Sequence, residues 1–332
     1  AVILGRFVGK EALAAVGASY PVTMIFMAIA VGSNVGCSVV ISRYFGGGWM
    51  RKMKTAVSTT ILASLVLSIF LTGIGLVVSG PLLHVMNTPA NIFDQGKLYL
   101  NIYIAGLVFL FLYNVATGVF TSLGDSKTPL VFLIGSSIGN ILLDLLFVIS
   151  FHWGVAGVAW ATFIAQGIAC ILALITLRKR VAAIDTQGGK IALFSKSMLG
   201  KIAFIAIPSI LQQSVLSVGN LFVQDIVNRY GSAVVAGYSG AIKLNTFAIN
   251  IFMTLGSCLS SYTAQNIGAG KAKRIPLGFR SGLKLSAVAA VPFVVLYVGF
   301  SRQMMGLFLN AESGAAITAG MEFLRIVAPW YL

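Results

Sequence analysis

From Leu130 to Phe151 the chain runs for 22 residues in which Asn140 and Asp144 are the only strongly polar side chains. A run of that length spans the bilayer core, roughly 30 Å thick, as a helix, because a helix satisfies all of its own backbone groups where no water can. Comparable apolar runs recur along the chain. They predict spans at about 19–43, 56–79, 98–121, 130–151, 156–177, 202–228, 233–260, 279–300 and 315–332. Only 9% of the residues are charged, against roughly a quarter in a soluble chain. The class that follows is an all-α polytopic membrane protein.

Composition removes several functions. The net charge of +15 sits in short clusters between apolar runs, not on the basic, aromatic-interleaved surface that nucleic-acid binding needs. Cys37, Cys170 and Cys258 all fall inside apolar spans and read as small buried hydrophobes, with no disulfide or metal site expected. Gly268-Ala269-Gly270-Lys271 resembles the tail of a phosphate loop. Gln265 stands where that loop needs glycine, however, and Ala272 where it needs Ser or Thr. Two histidines and eight acids give no paired carboxylates, so no enzyme and no cofactor are expected. A transport function would draw its energy from an ion gradient or a partner.

Charge orients the spans. Alternate loops hold Arg43, Arg51, Lys52, Lys54, Lys127, Arg178, Lys179, Arg180, Lys190, Lys196, Lys201, Lys271, Lys273, Arg274 and Arg280, which is 15 of the 23 basic residues. The other loops hold five: Arg6, Lys10, Lys97, Arg229 and Arg302. The richer loops therefore face the cytoplasm.

The polar stretch Arg178–Lys201 divides two similar halves. Phe45-Gly46-Gly47-Gly48 with Arg51-Lys52 matches Ile267-Gly268-Ala269-Gly270 with Lys273-Arg274, about 222 residues on. Arg6-Phe7 matches Arg229-Tyr230 close to that offset, and Tyr99-Leu100-Asn101-Ile102 matches Phe323-Leu324-Arg325-Ile326 at about 224. Six spans separate equivalent points, so the halves enter the membrane in the same direction, related by an axis along its normal. Completing the repeat gives twelve helices, six per half. This chain is then expected to be a fragment lacking most of the first helix and the last two. The expected domains are an N-terminal lobe at 1–180, a cytoplasmic linker at 181–201 and a C-terminal lobe at 202–332.

An ionisable group inside a membrane helix costs several kcal/mol and marks an ion or proton pathway by default. Asn140 and Asp144, four residues apart, share a helical face. The hairpin of spans 130–151 and 156–177 turns near Trp153. Reflection about that turn puts Thr162 opposite Asp144 in depth, with Gln166 one turn deeper. These four could converge on a site that binds a proton, or Na⁺ if enough oxygens gather; the structural alternative is an Asp held by Asn140 and a neighbouring helix. Lys243 lies roughly 16 Å into its span, near the midplane. It reads as a counter-ion, a substrate contact or a lysine in a wet cavity. Gln213, Asn220 and Gln224 form a polar stripe on the preceding span and are assigned to the same cavity.

Four segments carry a family resemblance. Gly5-Arg6-Phe7-Val8-Gly9 with Ala12-Leu13-Ala14-Ala15-Val16-Gly17, Gly139–Asp144, Ala159-Trp160-Ala161-Thr162 and Ala264–Gly270 resemble the multidrug and toxic compound extrusion (MATE) family. The resemblance implies twelve helices in two pseudo-symmetric bundles, and a monomer in the bacterial cytoplasmic (inner) membrane. It implies export of organic, often cationic, amphiphiles in exchange for H⁺ or Na⁺ by alternating access, among membrane lipids. Asn140, Asp144 and Thr162 match the cation-binding residues of the DinF-like branch, and Tyr99 matches a tyrosine near that site. The family's first-helix aspartate has no counterpart to inspect. The glutamate of the other branch, on the seventh helix, meets only Gln212 and Gln213 here. A lipid-linked precursor flippase of the same superfamily and a non-transporting membrane scaffold are the competing expectations.

Overall fold

A computed structural model describes residues 2–86, 88–186, 191–306 and 314–331, and no strand occurs among them. Lys190 and Leu332, and the side chains of Arg6 and Lys10, lie outside the described residues. The helices are α1 (Val2–Phe7), α2 (Lys10–Gly46), α3 (Met50–Val85), α4 (Ala90–Ala105), α5 (Leu107–Ser122), α6 (Lys127–Leu145), α7 (Gly154–Ala182), α8 (Lys196–Asn228), α9 (Ser232–Gly268), α10 (Ile275–Val294), α11 (Ser301–Gly306) and α12 (Gly314–Val327). Single π-helical turns, Leu146–Ser150 and Val295–Gly299, continue α6 and α10.

Among the described residues seven helices are long and apolar enough to cross a membrane, or eight when α4 and α5 count as one bent span. The expected span 98–121 is therefore not straight. It bends by 45° at Gly106, whose amide closes the last turn of α4 on Ile102 and Tyr103. The ninth expected span, 315–332, is present as α12, whose 14 residues cover roughly 21 Å, less than a bilayer core. Aliphatic side chains such as Val66 and Val77 stand 67% and 77% exposed, the outward surface that a lipid environment favours.

The chain forms two compact units, Ala1–Ser214 and Val215–Leu332. The division falls inside α8 because the first half of that helix belongs to the core of the first unit. Met198 and Ile202 pack with Cys37, Ile41, Met53, Val119, Phe120 and Leu177. Further along, α8 lies on a Gly-x-x-x-Gly face of α2. A Cβ on Gly36 would stand 2.6 Å from Ala206 Cβ, and one on Gly32 would meet the backbone of Ile210. Small residues are what let membrane helices approach this closely. A second cluster, with Phe26, Leu83, Leu100, Ile104 and Phe111, fills the other end of the unit.

In the second unit α9 and α12 pack through Ala241, Ala248, Ile317 and Leu324, joined by Tyr297 and Met305. The repeat read from the sequence has a counterpart in packing. In the first unit a Cβ on Gly96 would lie 3.3 Å from the carbonyl oxygen of Ala15. In the second, a Cβ on Gly320 would lie 2.9 Å from the carbonyl oxygen of Gly237. These positions are 222 and 224 residues apart, the offsets of the sequence motifs. The same helix crossing is thus built twice, on a glycine each time.

The three cysteines are free. Cys37 and Cys170 are buried as expected, whereas Cys258 is exposed, because its face of α9 looks outward beside Leu259 and Tyr262 along a groove on α10.

Candidate functional site

The site is built on the α6–α7 hairpin. Asp125 opens it: its carboxylate accepts from the Thr128 amide at 3.1 Å and the Thr128 hydroxyl at 2.8 Å, satisfying a first-turn donor of α6. Partial burial opposes ionisation of Asp125, but those two bonds and nearby Arg180 outweigh it and hold the carboxyl below its ordinary range. At the far end the chain reverses through Phe151–Trp153, with His152 (φ 57°) and Gly154 (φ 55°) in the left-handed region. The rings of Phe147, Phe151 and Trp153 cluster there with centroids 4.9–5.8 Å apart, the two phenylalanines stacked and Trp153 tilted against both. Gly157 packs beneath, its Cβ position 3.1 Å from Phe147 Cβ. This aromatic clasp fixes the register of the two helices.

That register differs from the simple reflection. Asn140, rather than Asp144, meets Thr162: its Nδ2 donates to Thr162 Oγ1 at 3.3 Å, and the Thr162 hydroxyl donates to Val158 O at 3.0 Å. The π turn Leu146–Ser150 and the non-helical reversal consume residues without the rise of an α-helix, so residues before them lie nearer the turn than counting predicts. π-helical turns often accompany functional sites, and this one begins two residues after Asp144.

Asn140, Thr162 and Gln166 line one cavity of about 210 Å³ together with Tyr113, Ser136 and Ser137. Tyr99, Tyr103, Thr162 and Gln166 line a second, of about 10 Å³, room for a water at most. Thr162 and Gln166 therefore join the α6 face to the α4 face. Asp144 sits one turn from Asn140, 8% exposed and lining neither cavity. Tyr99 lies within electrostatic reach of its carboxylate. The oxygen Oδ1 of Asp144 is buried and accepts no hydrogen bond among the described residues. A buried polar atom without a partner demands an explanation, and a bound proton or a small cation supplies one chemically. Hydroxyl and amide oxygens nearby suit the hard, oxygen-seeking character of such an ion.

Four of the five expected residues, Asn140, Thr162, Gln166 and Tyr99, are thus brought together around Thr162, with Asp144 adjacent. Ser136, Ser137, Tyr103 and Tyr113 complete the lining. The serines precede Asn140 by four and three residues, and that helical spacing is the sequence signal that marks them.

The expected cavity residues of the other half divide between the units. Gln213 belongs to the first, and Asn220, Gln224 and Lys243 to the second. Lys243 and Asn220 are exposed, while Gln213 and Gln224 are partly buried. One of the buried polar residues of the second unit lies two positions after Lys243. Asn245 is 8% exposed and accepts from the Tyr331 hydroxyl, while the Tyr297 hydroxyl donates to Leu244 O at 2.8 Å.

The MatE family model matches residues 1–146 and 208–332. Two relatives come from Bacillus subtilis (strain 168). The probable multidrug resistance protein YoeA is 29% identical over 315 residues, covering 93% of this chain and 68% of the relative. The probable multidrug resistance protein YpnP is 28% identical over 328 residues, covering 99% and 73%. A solved structure described as the outward-facing conformation of a multidrug resistance MATE family transporter of the MOP superfamily superposes with a TM-score of 0.89. It is 22% identical and covers 99% of this chain and 73% of its own, a likeness that establishes the fold. A duplicated helical membrane architecture and a family match over most of its length lead to one conclusion: the chain belongs to the MatE family of multidrug and toxic compound extrusion transporters.

Proposed function

We propose that this transporter is a cation-coupled antiporter, exporting organic, often cationic, amphiphiles across the bacterial cytoplasmic membrane by alternating access. H⁺ or Na⁺ is the coupling ion, held in the first unit, and the protein works as a monomer. The observation that carries this reading is the buried Asp144 carboxylate. One of its oxygens accepts no hydrogen bond among the described residues, and the oxygens of the Asn140–Thr162 pair lie one helical turn away on the same hairpin. A carboxylate kept in that setting costs stability, and loading and unloading an ion is a use that justifies the cost. Asn140, Thr162 and Tyr99 supply neutral oxygens, Asp144 the charge, and Gln166 connects the cavity on α6 with the cleft on α4. The probable multidrug resistance names of the two Bacillus relatives support small organic molecules as the exported class.

Replacing Asp144 by Asn keeps the shape and removes the charge. Efflux of a fluorescent organic cation, driven by an imposed H⁺ or Na⁺ gradient in membrane vesicles, is expected to fall to the passive leak in Asp144→Asn while the protein inserts in normal amount. Gradient-driven efflux at the wild-type rate in that variant overturns the reading.

A further inference from the structure

The bend between α4 and α5 lies in the wall of the candidate site, and the glycine at it is not needed for its backbone. Gly106 takes φ −80° and ψ −3°, a conformation open to residues that carry a side chain. What a side chain there would take up is space. A Cβ on Gly106 would stand 3.2 Å from Tyr103 O and 3.3 Å from Phe163 Cδ2. Gly106, Tyr103 and Phe163 all border the cavity of about 10 Å³ that Tyr99, Thr162 and Gln166 also line.

The bend is braced from two sides, so this space is built into the fold. On α3, Thr72 Oγ1 donates to Ile104 O at 3.2 Å, giving a partner to a carbonyl beside the break, as a broken membrane helix requires of its neighbours. One turn on, Gly75 lets α3 close in, its Cβ position 3.0 Å from Ile104 Cγ2. On α7, the Phe163 ring meets Phe109 and Trp160 edge-on, with centroids 5.2 Å apart in both pairs. A Cβ on Gly167 would lie 3.3 Å from the Phe109 ring. Phe163 and Gly167 directly follow Thr162 and Gln166, so the brace and the polar wall are neighbouring stripes of one helix.

A space of this size takes one water molecule, and a buried water needs about two to four polar partners. Tyr99, Tyr103, Thr162 and Gln166 are the polar side chains of the lining. The Thr162 hydroxyl donates to Val158 O and accepts from Asn140, which leaves it one lone pair for a further donor. The carboxamide and the two phenol hydroxyls can each donate or accept.

We propose that the cavity beside Gly106 binds one ordered water that belongs to the coupling site, and that glycine stands at 106 to leave room for it. The water donates to Thr162 and joins the tyrosine face of α4 to Gln166 on α7. Through it the Asn140–Thr162 pair and Tyr99, which lies within electrostatic reach of Asp144, form one hydrogen-bonded set. The part this water plays in coupling rests on the cation-coupled reading of the site; its presence does not.

A crystal structure at a resolution that shows ordered solvent tests the water directly. One solvent peak within hydrogen-bonding distance of Thr162 Oγ1 is expected in the wild type, and none in Gly106→Ala, whose methyl group fills the space. Cation uptake by the purified protein, titrated against pH and against Na⁺, tests the part in coupling. Gly106→Ala is expected to weaken uptake about tenfold, the worth of one hydrogen bond. Gly106→Ser carries the same Cβ and puts a hydroxyl where the water sits, so its uptake is expected to return to within about threefold of the wild type. Steric crowding alone gives the opposite order, with the larger serine worse than alanine. Gly73→Ala, whose Cβ would meet nothing within 4 Å, is expected to match the wild type in both measurements. An empty cavity in the wild type, a peak that persists in Gly106→Ala, or uptake in Gly106→Ser no better than in Gly106→Ala overturns the inference. Undiminished uptake in Asp144→Asn overturns the cation-coupled reading instead, and the solvent peak then decides the water by itself.

Discussion

Thr162 is the residue through which the candidate site is assembled, since it accepts from Asn140 and faces both cavities. Interhelical hydrogen bonds in membranes average about 0.6 kcal/mol. Thr162→Val is therefore expected to lower thermal stability only slightly while weakening the coupling-ion affinity several-fold. Comparing the melting temperature with the ion dependence of transport separates the two effects, and a loss confined to stability would show that the pair is structural. Asp144 and Asn140 were legible from sequence because a charge and an amide stand out in an otherwise apolar helix. Ser136, Ser137 and Tyr113 were not, since serine and tyrosine are ordinary in membrane helices; the serines are marked only by their helical spacing from Asn140, and Tyr113, on α5, carries no such mark. Lys243 stood out equally, and the structure places it exposed, beside a buried Asn245 that drew no notice.

At the scale of elements, the hairpin turn at Trp153 was correctly located and its register was not. A π turn leaves no mark in hydropathy, so the reflection ran one helical turn too deep and matched Thr162 with Asp144 in place of Asn140. The 45° bend at Gly106 escaped for a related reason: one glycine inside an apolar run reads as tolerated until packing shows the helix breaking there. Helix contacts depend equally on small residues. Gly32 and Gly36 admit α8 against α2, and any side chain at Gly36 must push Ala206 away. Gly36→Val is expected to destabilise the first unit by about 1–3 kcal/mol, measured as a lower midpoint in detergent unfolding. An unchanged midpoint would mean that α8 is not held on that face.

At the scale of the molecule, class and duplication were legible, because each rests on patterns summed over many residues. The repeat recovered from short motifs recurs as the Ala15–Gly96 and Gly237–Gly320 contacts, which no motif search would have paired. Orientation carries its own test. In a background with Cys37, Cys170 and Cys258 replaced by Ser, single cysteines at Ser126 and Lys271 are expected to react with an impermeant thiol reagent from the cytoplasmic side. Cysteines at His152 and Tyr230 should react from the opposite side, and the reverse pattern would invert the topology. The central claim, that the first unit holds the coupling cation at Asp144, is tested most directly by counting cations taken up per chain by the purified protein on a pH or Na⁺ jump. The expected result is one cation per chain in the wild type, weaker uptake in Asn140→Ala, and none attributable to this site in Asp144→Asn. Undiminished uptake in Asp144→Asn would contradict the account.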